Sequence, residues 1–188
     1  MHAGLATLLA AAIETPRLLL EPLGERHAEA FFAPLQEDEA LYQWISMHRP
    51  VSLEALRANW RRTEGSRMSP DQRHAWPSWA VRRKADGGYL GRVDAEINDA
   101  LEATNLGFYF FSRYWGQGYA SESVSAATEA LSARGVARFV ATVTVGNIAS
   151  ARILAKVGFK FTRILPGNDH IRGLDVDDEE YVRPPPRC

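Results

Sequence analysis

The chain carries one cysteine in 188 residues, Cys188, at the last position. A disulfide framework and a cysteine-built zinc site within one chain are therefore excluded. No stretch supplies the roughly 18 apolar residues of a membrane helix. An excess of either charge is missing too: 22 Lys and Arg stand against 23 Asp and Glu, for a net charge of -1. A nucleic-acid binder would show a basic excess, so that class of partner is set aside. His48, His74 and His170 are scattered, and no His pair has metal-ligand spacing, so no metal is expected. Internal repeats and low-complexity linkers are absent, and proline clusters only at Pro184, Pro185 and Pro186. The mildly apolar opening, Met1 to Ile13, lacks the charged n-region of a signal peptide and reads as a short helix packed on the domain or as a frayed extension. A soluble cytoplasmic protein that contacts no membrane is the expectation.

What is present is an ordinary globular composition, 46% hydrophobic and 24% charged, over a length that suits one domain. The expected division is an N-terminal extension over 1–14, a single domain over 15–183 and a tail over 184–188. Leu18 to Leu23 reads as a strand after Thr15-Pro16. Ala28, Phe31, Phe32 and Leu35 mark one face of a helix, and Ser52 caps a second helix with Leu53, Leu56 and Trp60 on its stripe. Gly65 to Ala75 is polar and loop-like. Trp76–Lys84, Tyr89–Ile97 and Thr104–Phe111 are strands joined by tight turns, hence an antiparallel meander.

A long helix over Gly116–Gly135 and an alternating strand over Arg138–Val145 follow, which predicts a parallel, right-handed crossover. A helix from Ile148 to Val157 and strands at Phe159–Leu165 and Glu180–Val182 complete the pattern. The fold class is α+β (α/β): a mixed, mostly antiparallel sheet of about seven strands with helices on both faces.

Two segments carry chemistry. Arg113-Tyr114-Trp115-Gly116-Gln117-Gly118-Tyr119-Ala120-Ser121-Glu122 places two glycines between a strand and a helix N-terminus. The first turn of a helix leaves N–H groups without partners at the positive end of its dipole, and glycine lets an anion approach them. That is a phosphate site, although a Gly-rich turn that merely starts a helix fits the same spacing. The Walker loop and the dinucleotide fingerprint both fit poorly, because Gly-Lys-Ser/Thr and a third glycine are missing. The second segment is Asn147-Ile148-Ala149-Ser150, just past a strand and opening a helix. Asn147 and Ser150 either cap that helix or face the cleft where parallel strands end, and for Asn147 the two roles are compatible.

Together, Arg113-x-x-Gly116-x-Gly118-x-Ala120 and Asn147-x-x-Ser150 with Leu154, Lys156, Gly158 and Phe159 resemble the GNAT superfamily of acyl-CoA-dependent N-acyltransferases. The second string resembles the corresponding motif of its ribosomal-protein (RimJ/RimL-like) N-acetyltransferase branch. Thr15-Pro16-Arg17-Leu18 is similar to the start of that fold's first strand, and Leu106-Gly107-Phe108-Tyr109 to its fourth.

The resemblance implies a GNAT-like fold, acetyl-CoA as cosubstrate without a metal, and direct attack of a primary amine on the thioester. The acceptor would be a protein N-terminus or a small amine, and a homodimer is a further possibility. It implies a diphosphate on the amides of Trp115, Gly116, Gln117, Gly118, Tyr119 and Ala120, with the Ser121 hydroxyl beside them. The pantetheine arm would pair with Phe110, Phe111 and Ser112 and with Asn147, in the gap where the fourth and fifth strands splay apart. A backbone N–H near Phe110 would stabilise the oxyanion, and Ser150 would serve the leaving thiolate.

Two departures stand out: no tyrosine follows Asn147 at the family's acid position, and Asn105 replaces a common glutamate. Among the carboxylates, Arg92, Asp94 and Glu96 alternate along one strand face, either as a solvated row or as a groove with Glu96 or Asp94 as water-relayed base. Trp76 and Trp79 are candidates for an acceptor pocket or for packing. A non-catalytic acyl-CoA sensor on the same fold is the alternative function.

Overall fold

A computed structural model describes residues 3–184. Its strands are β1 (Ile13–Glu14), β2 (Leu18–Pro22), β3 (Ser78–Arg83), β4 (Tyr89–Ile97), β5 (Glu102–Phe110), β6 (Arg138–Thr144), β7 (Lys160–Ile171) and β8 (Leu174–Arg183). The helices are α1 (Ala3–Leu9), α2 (Ala28–Glu37), α3 (Leu53–Ser66), α4 (Tyr119–Ala133) and α5 (Ile148–Lys156). All eight strands share one sheet, in the order β1-β2-β3-β4-β5-β6-β8-β7. Only β5 and β6 run parallel, joined through α4.

Strand alternation divides the core in two. One face of β4 presents Val93, Ala95 and Ile97 to a cluster shared with α1, α4 and Leu154 of α5. β5 alternates: Leu106 and Phe110 are buried in that cluster and Phe108 packs against it, while Tyr109 and the following Phe111 belong to the opposite cluster. There Phe31 and Leu35 of α2 meet Leu56 and Trp60 of α3. Ser52 caps α3 as its sequence position implies, its side chain accepting the Ala55 N–H at 3.1 Å.

The expected mixed, mostly antiparallel sheet has eight strands, Ile13–Glu14 adding a short antiparallel edge to β2. Of the two readings of the N-terminal stretch the packed helix is the one found: Ala6 and Leu9 of α1 are fully buried in the main cluster. One expectation needs correction: the last hairpin is far longer than the fragments Phe159–Leu165 and Glu180–Val182. Pro166-Gly167-Asn168 forms an irregularity in β7, between Leu165 and Asp169, and the hairpin turn is at Arg172-Gly173, both with positive φ. Proline is tolerated there because β7 is an edge strand. Of the expected tail, Pro185 to Cys188 lie outside the described residues. Among the described residues no helix is long and apolar enough to cross a membrane.

Candidate active site

The parallel pair is short. β5 and β6 are registered only at Glu102–Arg138 and Ala103–Phe139. Beyond that the strands part, and the rest of β5 faces a gap instead of a neighbour. Phe111 N–H donates to the Leu90 carbonyl at 2.9 Å, on the β4 side. Alternation along the strand therefore turns the N–H groups of Phe110 and Phe108 toward the gap.

The gap opens into a cavity of about 740 Å³ between β5, β6 and the N-termini of α4 and α5. At α4 the N-cap is Gly118, with φ 81° and no side-chain cap. Gly116 also has a positive φ, 74°, which makes the approach to the helix a left-handed turn that glycine adopts without strain. A Cβ on Gly118 would meet Arg17 Nη2 at 3.4 Å. The amides of the first turn of α4 are thus left for whatever enters the cavity.

Arg17 holds this loop from outside. Its Nε pairs with Glu122 Oε2 at 2.6 Å, its Nη1 donates to the Gln117 carbonyl at 3.2 Å, and its guanidinium lies 4.6 Å from the centroid of the Tyr119 ring. Thr15 Oγ1 donates to Glu122 Oε1 at 2.6 Å. Burial opposes ionisation of Glu122, but the hydrogen bonds from Thr15 and Arg17 outweigh it and hold the carboxyl below its ordinary range. Sequence reasoning missed this clamp; its signal was an acidic residue in the first helical turn and an arginine at the start of the first long strand.

At α5, Asn147 is the N-cap and its Oδ1 accepts the Ser150 N–H at 3.1 Å. Both residues line the cavity. Capping and facing the cleft are therefore combined in Asn147.

Of the other expected residues, Phe110, Trp115, Gly116, Gly118, Tyr119, Ala120 and Ser121 line the cavity. Phe111, Ser112 and Gln117 do not. Phe111 is buried in the α2–α3 cluster. Ser112 N–H donates to Asp38 Oδ2 at 2.6 Å, and Gln117 Nε2 donates to the Arg113 carbonyl at 3.1 Å. Trp115 Nε1 donates to the Phe110 carbonyl at 2.6 Å.

Glu96 lies outside the cavity lining, with its Oε1 3.5 Å from His74 Nδ1. Asp94 does line the cavity and pairs with Arg92 Nε at 3.2 Å. Trp79 is fully buried, with Nε1 donating to the Ala11 carbonyl at 3.0 Å, and Trp76 also lies outside the lining. No group of three His, Cys, Asp or Glu that could hold a metal ion occurs among the described residues.

The model of the acetyltransferase (GNAT) domain matches residues 17–160, which include both helix mouths and the gap between them. The chain belongs to the GNAT acetyltransferase family. Over 183 residues it is 26% identical to YoaA, an uncharacterized N-acetyltransferase of Bacillus subtilis (strain 168), covering 93% of this chain and 97% of that one. Among solved structures, a RimL ribosomal L7/L12 alpha-N-protein acetyltransferase in complex with coenzyme A is 21% identical with a TM-score of 0.81, covering 92% of this chain and 97% of that one. The ribosomal-protein-S5-alanine acetyltransferase from Vibrio fischeri is 16% identical with a TM-score of 0.80, covering 93% and 97%. At these identities the structural likeness establishes the GNAT fold, including the expected mixed sheet with one parallel pair.

Proposed function

We propose that this GNAT protein moves an acetyl group from acetyl-CoA to a primary amine, a protein N-terminus or a small amine, by direct attack in a ternary complex. The observation that carries the reading is the meeting, in one cavity, of a helix N-terminus without a side-chain cap and a strand gap that the β5–β6 pairing leaves open beyond Ala103–Phe139. The N-terminus suits a diphosphate and the gap suits an extended amide-bearing arm. The solved relatives whose names include coenzyme A or acetyl-CoA support the same reading.

When bound, acetyl-CoA supplies an activated acyl carbon. The amides from Gly116 to Ala120, with the Ser121 hydroxyl, would hold its diphosphate. Phe108 and Phe110, through their gap-facing N–H groups, would align the arm. Asn147 would add its side-chain N–H₂, since its Oδ1 already serves Ser150. The Phe110 N–H would donate to the thioester oxygen as negative charge develops there. Ser150 Oγ would give a proton to the departing sulfur.

The reading is tested by following thiol release from acetyl-CoA over a panel of amines, including peptides that begin with serine or alanine. Release that depends on the amine supports it. Tight acetyl-CoA binding with no release above background for any amine would favour the sensor instead.

A further inference from the structure

Three buried polar atoms of cavity-lining residues have no hydrogen-bond partner among the described residues: Arg92 Nε, Tyr109 Oη and Asp178 Oδ1. Arg92 Nε at least faces the Asp94 carboxylate at 3.2 Å, whereas no ion pair involves Asp178 Oδ1. Asp178 is 3% exposed, and its other oxygen, Oδ2, accepts from Asn168 Nδ2 at 2.8 Å. A buried acceptor left unsatisfied is destabilising, and more so when charged. A donor arriving from the cavity would remove that cost.

Position agrees. Asp178 pairs with Thr144 across β6 and β8, so the two side chains share a face of the sheet. Thr142 and Thr144 on that face line the cavity. Five residues beyond the Ala103–Phe139 pair, the two strands reach Phe108 and Thr144. Asp178 therefore stands one strand behind the gap, level with the gap-facing amides. The other charged side chains in the lining are Arg92 and Asp94 on β4, Arg152 on α5 and Asp169 on β7. Asp94 is engaged by Arg92.

We propose that Asp178 receives the acceptor as a cationic amine and takes its proton. The inference rests on the acetyl-transfer reading. Asp178 Oδ1 accepts a hydrogen bond from the incoming ammonium and becomes the carboxylic acid as that proton moves. The freed nitrogen lone pair forms the N–C bond at the thioester carbonyl, and the C–S bond breaks. The sulfur leaves with the electron pair and gains the nitrogen's surplus proton through Ser150. Asp178 returns its own proton to solvent, so the sum is ammonium plus thioester to amide, thiol and one released proton. The acceptor class is an amine that enters protonated.

The experiment compares wild type with Asp178→Asn and Asp178→Glu. Thiol release is followed with serine- and alanine-initiated peptide amides, spermidine and ethanolamine, and acetyl-CoA binding is measured by calorimetry. Asp178→Asn is expected to lower kcat/KM for the amine about 10²-fold, with acetyl-CoA affinity unchanged and Asp178→Glu partly restoring turnover. Wild-type kcat/KM in Asp178→Asn would overturn the inference, as would an enzyme that binds acetyl-CoA yet acetylates none of these amines. A loss that Asp178→Glu does not relieve, accompanied by a lower Tm, would mark Asp178 as a structural prop and also overturn it. Failure of the wild type to bind acetyl-CoA would instead remove the underlying reading, and the inference with it.

Discussion

Two helices open into the same cavity, and their first turns are finished in opposite ways. The first turn of α4 follows a glycine that offers no side chain, so its amides stay available. The first turn of α5 follows Asn147, whose side chain occupies the Ser150 N–H. On the proposed function the difference divides the labour: the α4 start is free to receive an anion, and the α5 start holds the Ser150 backbone beside the gap.

The division is sharpest if each end can be damaged without touching the other's task. Ser150→Ala should lower kcat about 10²-fold, the size of a lost general acid, while calorimetry shows acetyl-CoA affinity unchanged. Gly118→Val should do the reverse. It forces a branched residue to φ 81° against Arg17, and losing two hydrogen bonds to the diphosphate at about 1 kcal/mol each weakens acetyl-CoA binding about thirtyfold. An unchanged dissociation constant would break the comparison at the α4 end.

Asn147→Ala removes a helix cap worth about 1 kcal/mol, so Tm should fall about 2–4 °C for a chain of this size. The smallest effect belongs to the outer clamp. Glu122→Gln should cost less than about 1 kcal/mol at neutral pH, as partly exposed pairs do. Its folded-state carboxyl lies below the ordinary value, so the contribution is present above the ordinary glutamate range, near pH 4.3, and fades as pH falls through the folded value. Thermal melts of both proteins across that range should converge in acid.

Much of this was legible in sequence because local chemistry and tertiary structure agree. Gly116 and Gly118 need left-handed backbone, Asn147 and Ser52 are caps, and the β5 alternation sorts Phe110 from Tyr109. What escaped depends on partners distant in sequence. Ala6 and Leu9 are an ambiguous apolar stretch until a sheet lies beneath them. Glu96 shares a strand face with Asp94, yet Glu96 meets His74 outside the cavity lining while Asp94 lies within it. Asp178 sits in an acidic run, Asp177-Asp178-Glu179-Glu180, that reads as a solvated surface; its burial comes from the strands on either side of β8.

Trp115 has a consequence of another kind. Its indole is 46% exposed at the cavity rim while its Nε1 is bonded to the Phe110 carbonyl, the last residue of the strand that borders the gap. Trp60 and Trp79 lie shielded in the interior, Trp76 is exposed outside the lining, and Trp44 is the other indole in it. A molecule sliding along that strand would displace water from the Trp115 indole, so the chain holds its own fluorophore at the doorway, and with Trp44 replaced by phenylalanine the emission colour times the arrival of a guest.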